Sequence, residues 1–127
     1  MADHAYITTP LYYVNAEPHI GSTYTNVVAD ALARFHRQRG FSTMLQTGTD
    51  EHGEKIAETA REAGVSPRDF VDDVAAKFQA TWDSCGIAYD NFIRTSDPAH
   101  VEFVQGVLAR LHENDDIYFG SYEGLYC

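Results

Sequence analysis

The chain has 127 residues, of which 44% are apolar, 22% charged and 13% aromatic: enough for one folded domain, and too apolar for a disordered one. Nine Lys and Arg against nineteen Asp and Glu leave a formal net charge of -10, which argues against a general nucleic-acid binder and against attachment to an anionic membrane surface. No apolar run approaches the ~20 residues that span a bilayer, the start Met1-Ala2-Asp3-His4 has no signal-peptide pattern, and the two cysteines, Cys85 and Cys127, suit a reduced cytoplasmic setting.

In chain order, Tyr6-Ile7-Thr8-Thr9 predicts a short strand that Pro10 ends. Residues 11–21 read as a loop rich in large side chains. Ser22 or Thr23 is a natural cap for the helix that follows, which runs to about Arg39 and stops at Gly40. Its expected buried stripe is Tyr24, Val27, Val28, Ala31, Leu32 and Phe35, spaced three and four apart. Arg34, Arg37 and Arg39 fall near its C-terminus and suit its dipole. A second strand is expected from Phe41 to about Thr47, followed by the turn Gly48-Thr49-Asp50-Glu51-His52-Gly53 and a helix from Glu54 to Ala63.

Ser66-Pro67-Arg68-Asp69 combines an N-cap, Pro at the first helical position and an acid at the third. The helix it opens carries Phe70, Val71, Val74, Phe78, Trp82 and Cys85 on one face. A third strand is expected at Asn91-Phe92-Ile93-Arg94. Ser96-Asp97-Pro98 then starts a helix with Val101, Val104, Val107, Leu108 and Leu111 inward, and the aromatic stretch from Ile117 to Cys127 reads as strand-like. Alternating strands and helices predict an α/β fold with a parallel sheet and flanking helices. Ligands of such sheets bind at the carboxyl ends of the strands. The loops at 10–21 and 48–53 both follow strands and should meet over one edge.

Each loop has chemistry of its own. A glycine at Gly21 permits close backbone approach, and the helix start behind it presents free N–H groups and partial positive charge, which suit phosphate. His19 could donate to a phosphate oxygen, although a lone histidine beside a turn is more often a surface or internally satisfied one. Asp50 could hold an ammonium by a charge-assisted hydrogen bond. The plainer alternative is that Asp50 or Glu51 caps the helix at Glu54. A metal site from His19, Asp50 and His52 fits no familiar zinc spacing.

Taken together, the loops resemble a family. Pro18-His19-Ile20-Gly21-Ser22 is similar to the HIGH motif of class I aminoacyl-tRNA synthetases. Thr8-Thr9-Pro10-Leu11-Tyr12-Tyr13-Val14-Asn15 and Thr47-Gly48-Thr49-Asp50-Glu51-His52-Gly53 resemble two signatures of its methionyl branch. Phe92-Ile93-Arg94-Thr95 and Tyr122-Glu123-Gly124-Leu125-Tyr126-Cys127 resemble its later segments, so the likeness covers nearly the whole chain.

The resemblance implies the first half of a Rossmann-like catalytic domain over residues 1–116, with 117–127 opening a connective insertion, and a chain truncated there. It implies activation of methionine by ATP, supplied as its magnesium complex, and transfer to tRNA(Met) by the complete cytoplasmic enzyme, with no membrane partner. His19, as the catalytic residue, would lie at the ATP phosphates together with Gly21 and Ser22. Leu11, Tyr13 and Asp50 would hold methionine. Glu51 and His52 match the motif without an assigned role. Cys127 would be one ligand of a zinc knuckle in the complete enzyme. Two departures stand out: Ser22 replaces the second histidine of the motif, and no KMSKS-like loop occurs. The chain alone is expected to be catalytically incomplete. The alternatives are a non-catalytic adenine-nucleotide-binding or interaction module, a class I synthetase for another amino acid, and an unrelated nucleotidyltransferase sharing only the helix start.

Overall fold

The computed structural model describes residues 3–121 together with 123 and 124. Contacts divide the chain after Asp97 into two compact units. The first holds the strands β1 (His4–Thr8), β2 (Tyr12–Tyr13), β3 (Ser42–Asp50) and β4 (Asn91–Arg94) and the helices α1 (Ile20–Gln38), α2 (Glu54–Glu62) and α3 (Pro67–Ser84). The second holds α4 (Pro98–Glu113). Among the described residues no helix is long and apolar enough to cross a membrane.

Every strand pair is parallel, and β3 is the centre of the sheet. On one side it pairs with β1, Ile7 opposite Leu45, and then with β2, Tyr12 opposite Thr49 and Tyr13 opposite Asp50. On the other side it pairs with β4, Thr47 opposite Phe92. Pro10 interrupts the first edge, as expected, because it has no N–H to give the ladder. The chain then rejoins the sheet at Tyr12, where a continuous loop was expected. This second register carries the residues after Pro10 to the end of β3.

The strand order steps in one direction from β1 through β3 to β4, so right-handed crossovers place α1 and α3 on the same face. The core lies between them and the sheet. It contains Val14, Ala29, Ala33, Leu45, Val74, Phe78 and Trp82. Tyr12 stacks on Phe78 at 5.6 Å and meets Trp82 edge-on at 5.5 Å, geometries that aromatic pairs prefer. The opposite sheet face carries Tyr6 and Met44, both exposed.

Helix α1 buries a different face from the one its large residues suggest. Tyr24 is 70% exposed and Leu32 and Phe35 are each 50% exposed, while Ser22, Asn26, Ala29, Asp30 and Ala33 are buried. The physical reason is close approach. Alanines let the helix settle on Leu45 and Val14, and beside Ser22 the polar residues Asn26 and Asp30 make specific hydrogen bonds. Asn26 Nδ2 donates to the Tyr12 hydroxyl at 2.7 Å, and Asp30 accepts from the Ala88 N–H at 3.0 Å and from Arg34 at 2.7 Å.

Helix α3 follows expectation more closely: Ser66 accepts from the Asp69 N–H at 3.1 Å as N-cap, and Val71, Val74, Phe78 and Trp82 are buried. Cys85 is exposed rather than inward. Taken by itself, α4 buries none of its residues, so its expected inward face is not seen. Residues 117–121 form no strand, against expectation. Tyr122, Leu125, Tyr126 and Cys127 lie outside the described residues.

Trp82 is fully enclosed. Trp82→Ala is expected to cost about 3–5 kcal/mol of stability, the scale of deleting a buried aromatic, measured by urea unfolding.

Candidate functional site

The site begins at the N-terminus of α1. The helix starts at Ile20, and its N-cap is His19 rather than Ser22 or Thr23. The His19 ring folds back so that Nδ1 accepts from the Gly21 N–H at 3.0 Å. A Cβ at residue 21 would lie 2.9 Å from the His19 ring, so a glycine there lets the ring reach its own helix. The acceptor role fixes the tautomer: Nδ1 is bare, and the proton sits on Nε2. His19 is exposed. One nitrogen caps the helix, leaving the other as a donor at its positive end. The structural and functional readings of His19 therefore use different atoms and do not compete.

Ser22 takes a different place from the one the motif suggests. It is buried, its hydroxyl donates to the His19 carbonyl at 2.7 Å, and its oxygen accepts from the His19 N–H at 3.0 Å. Its proton is committed to the His19 carbonyl, so it supports His19 from below. The Ser22 carbonyl in turn accepts from the Tyr12 hydroxyl at 3.3 Å.

The return to the sheet at β2 joins the two loops. Besides the β2 pairing, the Val14 N–H donates to the Asp50 carbonyl at 3.3 Å. Tyr13 lies against Gly53, whose φ of 136° is open to glycine, and a Cβ there would run into the Tyr13 hydroxyl. Leu11 and Tyr13 are each more than a third exposed. A small cavity of about 200 Å³ opens beside the helix start, lined in part by Tyr12, Tyr13, His19 and Ser22.

Asp50 and Glu51 have opposite fates. The N-cap of α2 is Gly53 with no side-chain capping bond, so neither acid caps that helix. The backbone of Asp50 is held by β2, yet among the described residues no side chain or N–H hydrogen-bonds or ion-pairs with its carboxylate. Glu51 is saturated: its side chain is 0% exposed and accepts from Thr49 at 2.6 Å, from Arg94 at 2.7 and 2.9 Å, and from Ser96.

Arg94 also grips Asp72 of α3 at 2.6 Å, and Arg68 pairs with Asp72 at 3.2 Å. His52 is exposed, with Nε2 3.2 Å from the Thr95 carbonyl. Among the described residues no group of three His, Cys, Asp or Glu is placed to hold a metal, so His19, Asp50 and His52 do not form one.

Sequence reasoning passed over Arg94, Asp72 and Ser96 as site builders. A signal was available, because an arginine ending a short apolar strand needs a carboxylate when it is drawn inward. The arginines of α1 are also committed. Arg34 binds Asp30 and the Gly86 carbonyl, and Arg37 binds Asp90 and the Ala88 carbonyl, fastening the segment before β4 to the helix.

The residue pattern of the family described as tRNA synthetases class I (M) matches residues 5–127. The chain belongs to this family. As a class I tRNA synthetase segment it is 51% identical over 122 residues to a methionine–tRNA ligase of Thermotoga maritima, covering 96% of this chain and 19% of that protein. Its fold matches a Mycobacterium tuberculosis methionyl-tRNA synthetase in complex with methionyl-adenylate with a TM-score of 0.88 and 37% identity, over 93% of this chain and 23% of that one. It also matches a LeuRS of Agrobacterium radiobacter K84, in ternary complex with tRNA and LeuAMS, with a TM-score of 0.83 and 25% identity, over 90% of this chain and 15% of that one. The class I segment thus spans about a fifth of the length of the curated relatives it matches.

The acid cluster gives this segment a pH dependence. Burial alone would push the Glu51 carboxyl up, but hydrogen bonds from Arg94, Ser96 and Thr49 and the Arg94 charge outweigh it and hold it below its ordinary value. Asp72 is held low mainly by its hydrogen bond from Arg94. A carboxyl lowered in the folded state stabilises fully above its unfolded value, and that stability is lost as pH falls through the folded one. Stability measured by urea unfolding should therefore drop as pH is lowered below about 4. Glu51→Gln should flatten that fall while costing about 3 kcal/mol at neutral pH.

Proposed function

We propose that this chain supplies the part of a methionine–tRNA ligase that grips the amino group of methionine and the phosphates of ATP. In the complete reaction the methionine carboxylate attacks the α-phosphate of ATP. Methionyl-adenylate forms, pyrophosphate leaves, and the methionyl group then passes to tRNA(Met). The observation that carries this reading is the unspent Asp50 carboxylate, held by its backbone at the carboxyl end of β3 while its neighbour Glu51 is fully paired.

On this reading Asp50 accepts hydrogen bonds from the substrate ammonium, and the Leu11 carbonyl adds another acceptor. The Tyr13 ring closes over the thioether, a favourable sulfur–aromatic contact. The Nε2–H of His19 meets the phosphates of the magnesium complex of ATP, where negative charge builds as the α-phosphate is attacked, and Gly21 takes part by the close approach that seats the His19 ring over the helix start. Ser22 contributes by fixing the His19 cap. Catalysis is by positioning and electrostatics, with no covalent enzyme intermediate.

Residues 1–116 belong on this reading to the catalytic fold, and 117–127 open the insertion in which Cys127 would meet zinc. The commitment of Arg34 and Arg37 to internal partners agrees with tRNA being bound elsewhere in the cytoplasmic full-length enzyme. Because the chain spans about a fifth of its relatives, binding of single ligands is expected of it rather than turnover.

The direct test is methionine-dependent ATP–pyrophosphate exchange beside calorimetry with ATP. Measurable binding without exchange is the expected result, and an exchange rate near that of a complete enzyme would overturn it. In a complete enzyme carrying this segment, His19→Ala should lower the activation rate by about 2–4 kcal/mol of barrier, the scale of one lost transition-state donor. A loss below about threefold, well under that scale, would reject the role.

A further inference from the structure

Glu51 makes four hydrogen bonds with its two oxygens, which leaves it no capacity for a substrate. Its partners close a ring. Arg94 joins Glu51 to Asp72, Arg68 joins Asp72 to Ser96 at 3.3 Å, and the Ser96 hydroxyl returns to Glu51. The ring contains two carboxylates and two guanidiniums, so it carries no net charge. It ties the end of β3 to the end of β4 and to α3.

The backbone on both sides of Asp50 is fastened to the same place. The Thr49 carbonyl accepts from the Thr95 N–H at 3.2 Å, and the Glu51 N–H donates to the Thr95 hydroxyl at 2.8 Å. Successive residues of a strand point to opposite faces. The buried Thr49 holds Glu51 on one side, and Asp50, which closes β3 beside Tyr13, lies on the other, facing the proposed amino-group site. The loop holds two adjacent carboxylates, and Arg94 decides which of them is neutralised and which is offered.

We propose that Glu51 and Arg94 are positioning residues for amino-group recognition: their pairing orients the Asp50 carboxylate and keeps the site singly negative. The inference rests on the reading that Asp50 binds the substrate ammonium. It adds that this binding is set by a pair of residues that never touch the substrate.

The test is an NMR titration of the chain with L-methionine and with 4-(methylthio)butanoate, which lacks the amino group. The wild-type chain should prefer L-methionine, and Asp50→Asn should abolish the preference. Glu51→Gln should cut it by about tenfold, the scale of one charge-assisted hydrogen bond. Arg94→Lys, which keeps the charge but cannot grip both oxygens, should retain part of it, and it carries the test if Glu51→Gln does not fold.

Melting is followed in parallel. A purely structural role would lower the melting temperature and weaken both ligands alike, leaving their ratio unchanged. An unchanged ratio in folded Glu51→Gln or Arg94→Lys, with the preference lost in Asp50→Asn, overturns the positioning role and leaves Asp50 standing. A preference that survives Asp50→Asn, or is absent from the wild type, overturns the Asp50 reading and the inference together.

Discussion

A carboxylate removed from water must find enough donors to replace it, and Glu51 imposes that demand on the whole first unit. Thr49 supplies a donor from its own strand, Arg94 and Ser96 from the end of β4, and Asp72 and Arg68 extend the set into α3. Meeting the demand brings three separate stretches of sequence to one point. Removing Arg94 would strand the buried Glu51 charge, whereas Asp72 and Arg68 lie nearer to water. The backbone on both sides of Asp50 is fastened to Thr95 beside that set. Fastening it there leaves the Asp50 carboxylate without a partner among the described residues while its neighbour Glu51 is fully paired.

The other half of the site depends on Pro10. By breaking the ladder without turning the chain away, it lets Tyr12 and Tyr13 rejoin β3 further along, where Tyr12 can stack on Phe78 and support both Asn26 and Ser22. The helix start and the β3 turn are thereby fixed to a common support. His19 completes the arrangement by dividing its two ring nitrogens between the helix and the outside.

Much of this was legible in the chain order. The parallel sheet, the Ser66 cap, the strand at Asn91–Arg94 and the meeting of the two loops all followed from turn residues and periodicity. What misled was size. The large residues of α1 form a regular stripe, and periodicity assigns such a stripe to the core. Contact with the sheet instead selected Ala29 and Ala33 and tolerated Asn26 and Asp30, because each found a specific partner. Hydrogen bonds between residues more than forty positions apart, such as Glu51 to Arg94, leave no periodic trace. Neither does the inward turn of Ser22, since a hydroxyl can cap, support or donate and only the surrounding geometry chooses. The free state of Asp50 was equally invisible, as its neighbour carries the same charge.

The outward stripe of α1 and the acidity of the chain also act on each other in solution. Tyr24, Val27, Leu32 and Phe35 offer a continuous greasy strip, and a net charge of -10 keeps copies of the molecule apart by repulsion. Dissolved salt weakens the repulsion over distances of about 10 Å while leaving the strip as adhesive as before. The distance over which copies of this chain feel one another is therefore set by ionic strength, wide in dilute buffer and short in concentrated buffer.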